Sequence, residues 1–282
     1  MPRNKDLSAY TALVTGASSG IGLEYARQLA VRGANLVMVS IDREDLDREA
    51  KKIVDTSGVS VETICMDLAQ PDAANKLYDH CRQKGIQIEI LINNAGFGIS
   101  GAIEFTPTQE ARRQFDVNFF GMVNMNRAVV PLMRQAGRGR IVNLSSVAAP
   151  VPIPFQAYYS ATKAAVNAYT MALANELRPY GVTVCAVQPG DIHTGFTAAR
   201  EKTIDGDDVY GGRISRSVAR MEHDEQTGMD PAKAGAFIAK VAMKQRVKPI
   251  YTIRFDYQFL ALLTRILPYR FLNWLIGVIY GK

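Results

Sequence analysis

The sequence predicts an α/β fold built on a doubly wound parallel sheet, in a single domain with a C-terminal helical extension. Three observations carry this. From Thr11 to Val187 short apolar runs alternate with stretches of helical length. The runs are apolar on consecutive residues, as strands buried on both faces require. A length of 282 residues with 48% hydrophobic content suits one large core, and no repeat, low-complexity tract or Pro/Ser-rich linker marks a second domain.

In chain order the strand runs are TALV, NLVMV, VETIC, IEILI, RIVNL and VTVCAV. The longest helical candidates are Thr108 to Gln135 and Tyr158 to Pro179. Gly195 to Asp230, rich in Gly and charge, reads as a long irregular loop suited to a lid, with Gly211-Gly212 as a hinge. Ala232 to Met243 is helical, and PIYTI is a last strand. The tail, Asp256 to Gly281, is apolar but interrupted by Arg265, Pro268, Arg270 and Asn273, short of the roughly 20 apolar residues of a membrane span. Two short helices broken at Pro268 are expected. Residues 1–254 are read as the α/β domain and 255–282 as its basic, apolar tail.

Composition narrows the function classes. Cys65, Cys81 and Cys185 lack metal-type spacing, as do His80, His193 and His223, so no metal site is expected. Met1 to Tyr10 has no apolar run of the signal-peptide kind, which makes the cytoplasm the default location. The net charge of +6 is concentrated at the end of the chain. Between residues 240 and 282 stand Lys240, Lys244, Arg246, Lys248, Arg254, Arg265, Arg270 and Lys282 against the single acid Asp256. The excess belongs to residues 240–282, and no nucleic-acid partner is expected.

Directly after the first run comes Gly16-Ala17-Ser18-Ser19-Gly20-Ile21-Gly22, leading into a helical stretch. Glycines let the backbone approach a ligand, and the helix N-terminus aims unpaired N–H groups at an anion, so this turn suits a pyrophosphate. Tyr159 and Lys163, four apart in a helical segment, share one face. A phenol with its free pKa of about 10 needs roughly 4 kcal/mol to ionise near pH 7. One ammonium at about 4 Å, at an effective dielectric near 20, supplies that much. Lys163 alone is expected to activate Tyr159. Tyr158 has Thr162 at the same spacing and no such cation.

The turn from Gly16 to Gly22, Asp67-Leu68, Asn93-Asn94-Ala95-Gly96 and Tyr159-x-x-x-Lys163, in this order over Thr11 to Phe196, resemble the short-chain dehydrogenase/reductase family, in particular its hydroxysteroid-dehydrogenase-like members. The resemblance implies a Rossmann-type fold that binds NAD(P) and moves a hydride to or from an alcohol or ketone carbon. Carried over by position, Tyr159 transfers the proton and Lys163 steadies it while holding the nicotinamide ribose. Ser146, thirteen residues before Tyr159, hydrogen-bonds the substrate oxygen, with Ser145 the lesser candidate, and Asn118 holds a water that links Lys163 to solvent. Asp67 and Leu68 would meet the adenine, and Asn93 with Asn94, Ala95 and Gly96 the adenosine ribose side. Pro189, Gly190, Ile192 and Thr194 would meet the nicotinamide. Family members commonly pair through their two long helices, which implies a homodimer or homotetramer.

Cofactor choice rests on the end of the second strand. The family's NAD-type acid is replaced by Ser40 and its NADP-type arginine by Ile41, with Asp42 and Arg43 following. Room at Ser40 and the charge of Arg43 favour NADP(H) over NAD(H).

Substrate contacts are expected from Phe97 to Ser100, Ala148 to Gln156 and Gly195 to Asp230. The apolar loop AAPVPIPF points to a bulky hydrophobic substrate: a steroid, bile acid, retinoid or long acyl chain. The alternatives are a 3-oxoacyl thioester on acyl carrier protein or CoA and, in another class, a non-catalytic NAD(P)-binding sensor or scaffold, which the full set of Tyr159, Lys163, Ser146 and Asn118 disfavours. The tail, with Trp274 and several Tyr and Phe among cations, suits a peripheral membrane contact, a lid over a lipid-like substrate or a subunit contact equally.

Overall fold

The computed structural model describes residues 6–281. The first half of its sheet grows outward from β1 (Thr11–Thr15) through β2 (Asn35–Ser40) to β3 (Val61–Cys65), with α1 (Gly20–Ala30) and α2 (Arg43–Ser57) as crossovers. After α3 (Ala73–Gln83) the chain returns to the other side of β1 as β4 (Ile90–Asn93). Leu13 consequently sits between Val37 and Leu91, each a fully or nearly fully buried side chain.

β5 (Ile99–Ser100) leaves the sheet. The predicted helix from Thr108 to Gln135 forms as α4 (Thr108–Phe115) and α5 (Met122–Gln135), joined through a wider π-helical stretch at Asp116–Gly121. Then β6 (Gly139–Leu144), α6 (Ala157–Leu177) and β7 (Val182–Gln188) extend the sheet.

The stretch from 195 to 230 differs from expectation. It carries α7 (Phe196–Ala199), β8 (Glu201–Lys202), which pairs with β5, and the fourteen-residue α8 (Arg213–Gln226), whose Ile214, Val218 and Met221 are buried. Gly211 and Gly212, at φ of 60° and 77°, turn the chain into α8. α9 (Pro231–Met243) and β9 (Ile250–Thr252) complete a parallel sheet of order β3-β2-β1-β4-β6-β7-β9.

Helices cover both faces, which is why the central strands are largely apolar and buried. Leu23 and Leu29 of α1 and Ile238 of α9 fill one face, while Leu77 of α3, Val129 of α5 and Leu173 of α6 fill the other. A Cβ at Gly235 would lie 2.7 Å from that of Glu24, so α9 reaches α1 only because that position has no side chain. The direction of winding reverses between β1 and β4, which opens a crevice at their carboxyl ends.

The tail folds as two helices on either side of Pro268, α10 (Phe255–Ile266) and α11 (Tyr269–Tyr280). Leu272 and Ile276 of α11 are buried against Val151 of the apolar loop, with Leu260 of α10 at their side. Among the described residues, no helix is long and apolar enough to cross a membrane.

Candidate active site

The crevice is a single cleft with a glycine-lined end and an apolar end. At the first, Gly16, Ser18, Ser19, Gly20 and Ile21 form one wall. Gly16 and Gly20 hold φ of 64° and 55°, the left-handed region that favours glycine. Ser19 at the N-terminus of α1 makes no side-chain capping bond, which leaves the first helical N–H groups aimed at the cleft. Such a cradle fits a pyrophosphate.

Gly22 does a different job. A Cβ there would lie 2.1 Å from the Gly16 carbonyl oxygen and 2.4 Å from Asn94 Nδ2, so it lets α1 pack on the turn and does not itself line the cleft. Asn94 donates to the carbonyls of Thr15 and Gly16, and the Thr15 hydroxyl accepts from the backbone of Asn94 and Ala95. With Gly96 these residues floor the cleft. Thr194 closes it opposite, its Cβ 3.5 Å from where a Gly20 Cβ would be. Pro189, Gly190 and Ile192 continue that wall.

Besides Gly22 and Asn118, four expected residues lie off the lining. Asp67 accepts from Ala69 N and Gln70 Nε2 within its own turn, and Leu68 is buried in the core under α3 and α5. Arg43 starts α2, exposed, 4.0 Å from Asp47. Ile41, Asp42 and Asp45 line the cleft instead, and Ser40 shares a hydrogen bond of 2.7 Å with Ser18. Asn93, expected near the ribose, is buried between the sheet and the helices: its Nδ2 donates to Asn126 and Asn143, both at 2.9 Å, and Asn143 donates to Thr170. The cause is strand alternation, since Asn93 and Asn94 point to opposite sides of the sheet.

At the middle of the cleft α6 presents Tyr159 and Lys163, and the turn after β6 presents Ser146. The Tyr159 phenol hydrogen-bonds the Ser146 hydroxyl, which also accepts from Ala148 N. Ser145 lines the cleft too, but its hydroxyl donates to the Lys163 carbonyl. Lys163 Nζ lies 5.6 Å from the Tyr159 ring and donates to the Leu144 carbonyl at 2.9 Å. A Cβ on Gly96 would be 3.0 Å from Asn118 Oδ1 and 3.6 Å from Lys163 Nζ, which puts all three in one cluster. Asn118 sits in the π-helical stretch, where its amide both donates to and accepts from the backbone of Phe97. Tyr158 does not line the cleft.

The electrostatics depart from expectation. Burial pushes the Tyr159 phenol up to about 12 against the lowering effect of its Ser146 bond, and burial pulls Lys163 down to about 8. Each group has lost water, and desolvation penalises both charged forms at once. Burial outweighs the neighbouring charges, so Lys163 does not by itself bring the phenol near neutrality.

The apolar end draws on two of the expected substrate segments, Ala148 to Gln156 and Gly195 to Asp230, and on the tail. Phe196 sits with its ring 5.7 Å from that of Tyr159, and Ile153, Met221 and Tyr280 enclose the space beyond. Glu225 lines it too, held by the Thr197 hydroxyl and the fully buried Arg200 guanidinium. Tyr257 of α10 donates to the Asp191 carboxylate, and its ring fills the space a Gly190 Cβ would need. Burial raises Asp191, against the lowering effect of the Tyr257 bond. Tyr280 of α11 donates to Asp224. These partners lie 56 to 66 residues apart in the chain, beyond the reach of any motif.

The family model described as short chain dehydrogenase matches residues 10–205. A 3-ketodihydrosphingosine reductase of Bacteroides thetaiotaomicron is 38% identical over 236 residues, covering 83% of this chain and 83% of that protein. A short-chain dehydrogenase of Streptomyces avermitilis superposes with a TM-score of 0.80 at 28% identity, over 90% of this chain and 91% of the other. One from Sphingobium yanoikuyae, solved with NADPH, gives 0.74 at 30% identity over the same shares. The chain belongs to the short-chain dehydrogenase/reductase family and is an NAD(P)-dependent enzyme acting between alcohols and ketones.

Proposed function

We propose that this enzyme reduces a ketone carried on a long hydrophobic chain, such as a 3-keto sphingoid base, with NADPH as the preferred cofactor. The observation that carries the reading is the apolar end of the cleft, where Phe196, Ile153, Met221 and Tyr280 surround the approach to Tyr159. A small polar substrate would leave these walls wet. The name of the Bacteroides thetaiotaomicron relative supports a long-chain ketone. On this reading residues 1–254 form the catalytic unit and 255–282 its cover.

When bound, the nicotinamide supplies the hydride. The chain's own residues do the rest. Gly16, Ser18, Ser19, Gly20 and Ile21 bind the pyrophosphate side, with Gly22 shaping the turn, and Thr194 with Pro189, Gly190 and Ile192 orients the nicotinamide side. Ser40, Asn94, Ala95 and Gly96 line the adenosine side, with Asp67 and Leu68 reaching it only if their turn adjusts. Tyr159, protonated through the neutral range, gives its proton to the ketone oxygen, which Ser146 holds in place. Lys163 and Asn118 form the relay that replaces that proton. A phenol pushed up by burial is a stable proton store for reduction, whereas oxidation would need the phenolate.

The NADPH preference rests on the absence of an acid at Ser40 and on Arg43, whose exposed side chain is held only by a 4.0 Å pair with Asp47 and can turn toward a 2′-phosphate. NADPH should give the higher kcat/KM, and Arg43→Ala should narrow the gap; a clear NADH preference in the parent enzyme would overturn this half of the reading.

The test of the reaction is nicotinamide absorbance with a panel of ketones: long-chain 3-keto sphingoid bases, 3-oxoacyl thioesters, steroids and short polar ketones. Long-chain 3-keto substrates should lead in kcat/KM. Preference for short polar ketones would reject the reading. Tyr159→Phe should bind cofactor as before and lose turnover by orders of magnitude, and turnover within a few fold of the parent would remove Tyr159 from its role.

A further inference from the structure

We propose that α10 and α11 dock the protein on an anionic lipid surface, their outer faces against the bilayer and their inner faces over the cleft. Among the described residues, eight of the seventeen exposed large hydrophobic side chains fall between Phe255 and Ile279. That concentration marks an interaction surface. On α10 the exposed side chains Phe255, Phe259, Leu262 and Ile266 recur at helical spacing and form one stripe, while Leu260 turns inward to Val151. On α11 Leu272 and Ile276 face inward, and Phe271 and Trp274 face out with their rings 5.7 Å apart. Trp274 is 60% exposed.

Charge selects the occupant. Arg265 and Arg270 flank the break at Pro268, both exposed and without a carboxylate partner among the described residues. The tail's one acid, Asp256, is already paired with Arg254. An anionic headgroup layer complements such a surface. A second copy docking through the same face about a two-fold axis would bring the like charges of the two copies close together. Helices of twelve residues are too short to span a bilayer, so they lie in its interface with the aromatic rings at headgroup depth.

The same helix pair reaches the apolar end of the cleft, through Tyr280 in its wall and Tyr257 on Asp191. A membrane-dissolved substrate would thus be delivered at the mouth of the apolar end. That delivery role rests on the long-chain ketone reading, whereas the docking does not.

Trp274 is the only tryptophan and therefore reports its own docking. The full-length protein is titrated with vesicles of phosphatidylcholine alone and with vesicles containing phosphatidylglycerol, in the absence of substrate. Anionic vesicles should shift Trp274 emission to shorter wavelength and co-sediment the protein, both weakening with salt. Neutral vesicles should do so far less. The double substitution Arg265→Glu and Arg270→Glu should lower apparent affinity roughly tenfold or more at an unchanged melting temperature. Phe259→Ser with Leu262→Ser should weaken binding to either vesicle. Absence of the shift and of co-sedimentation with anionic vesicles overturns the proposal. Concentration-dependent self-association that these substitutions abolish overturns it too, by making a second copy the occupant. No turnover enters the measurement, so a wrong substrate leaves its outcome intact.

Discussion

Lys163 is 4% exposed, and its ammonium has the Leu144 carbonyl as its one hydrogen-bond partner among the described residues. Burying an ammonium with a single partner is a stability cost of the kind met at functional sites. The unfolded chain keeps this lysine protonated up to about 10.5, whereas the folded protein releases the proton near 8. Across that window the unfolded state binds more protons, so rising pH favours the fold, and below 8 the full cost of burying the charge is present. Lys163→Met should therefore melt a few degrees higher than the parent at pH 7, with the gap closing as pH rises through the window. Leu144 lines the cleft, so its carbonyl can take a water in place of the lost donor. Melting curves of both proteins from pH 7 to 10 check this, and a variant less stable at pH 7 would show the ammonium to be a net stabiliser. The sequence placed Tyr159 and Lys163 together by their spacing, but spacing carries no information about burial. The direction of both pKa shifts was invisible for that reason.

Elements were legible where their own pattern decides them. Continuous apolar runs gave the strands, and Pro268 split the tail as expected, because a proline cannot sit inside a helix without losing a bond. α8 was missed although Ile214, Val218 and Met221 stand at helical spacing, since glycines precede them and charge surrounds them. The helix buries Ile214, Val218 and Met221 in one apolar cluster and is tied by Glu225 to Arg200. The Gly16 to Gly22 turn reads from its sequence as a ligand cradle, and all of it but Ala17 and Gly22 lines the cleft. Gly22→Ala separates the two jobs. The added methyl would meet a backbone oxygen at 2.1 Å, which has no side-chain freedom with which to yield, so α1 must lift from the turn. A loss of about 1–3 kcal/mol of stability is expected from such overpacking. Displacement of the α1 N-terminus should also weaken nicotinamide dinucleotide binding. Denaturant melts and a cofactor titration read the two effects, and normal values of both would return Gly22 to the status of a neutral turn residue.

At the scale of the molecule the outward surfaces divide into two. One is the tail, and the other is formed by the two long helices of the α5 and α6 side, whose inner faces fill the core through Val129 and Leu173. Phe119, beside the start of α5, meets Tyr169 of α6 with ring centroids 6.1 Å apart, so both helices contribute to one surface there. Phe120 and Met171, 49% and 43% exposed, stand on it with little reason to face water in a monomer. A contact through this surface buries them without reaching the cleft or the tail. The enzyme should accordingly run as a dimer or tetramer at micromolar concentration, and Phe120→Asp with Met171→Asp should release monomers, because each buried carboxylate would lack a partner. Charge reversal at Arg265 and Arg270 should leave the mass unchanged, since those residues belong to the other surface. Sedimentation equilibrium of the three proteins decides it: a monomeric parent would leave Phe120 and Met171 as ordinary exposed apolar residues, and dissociation by the tail substitutions would move the subunit contact to α10 and α11.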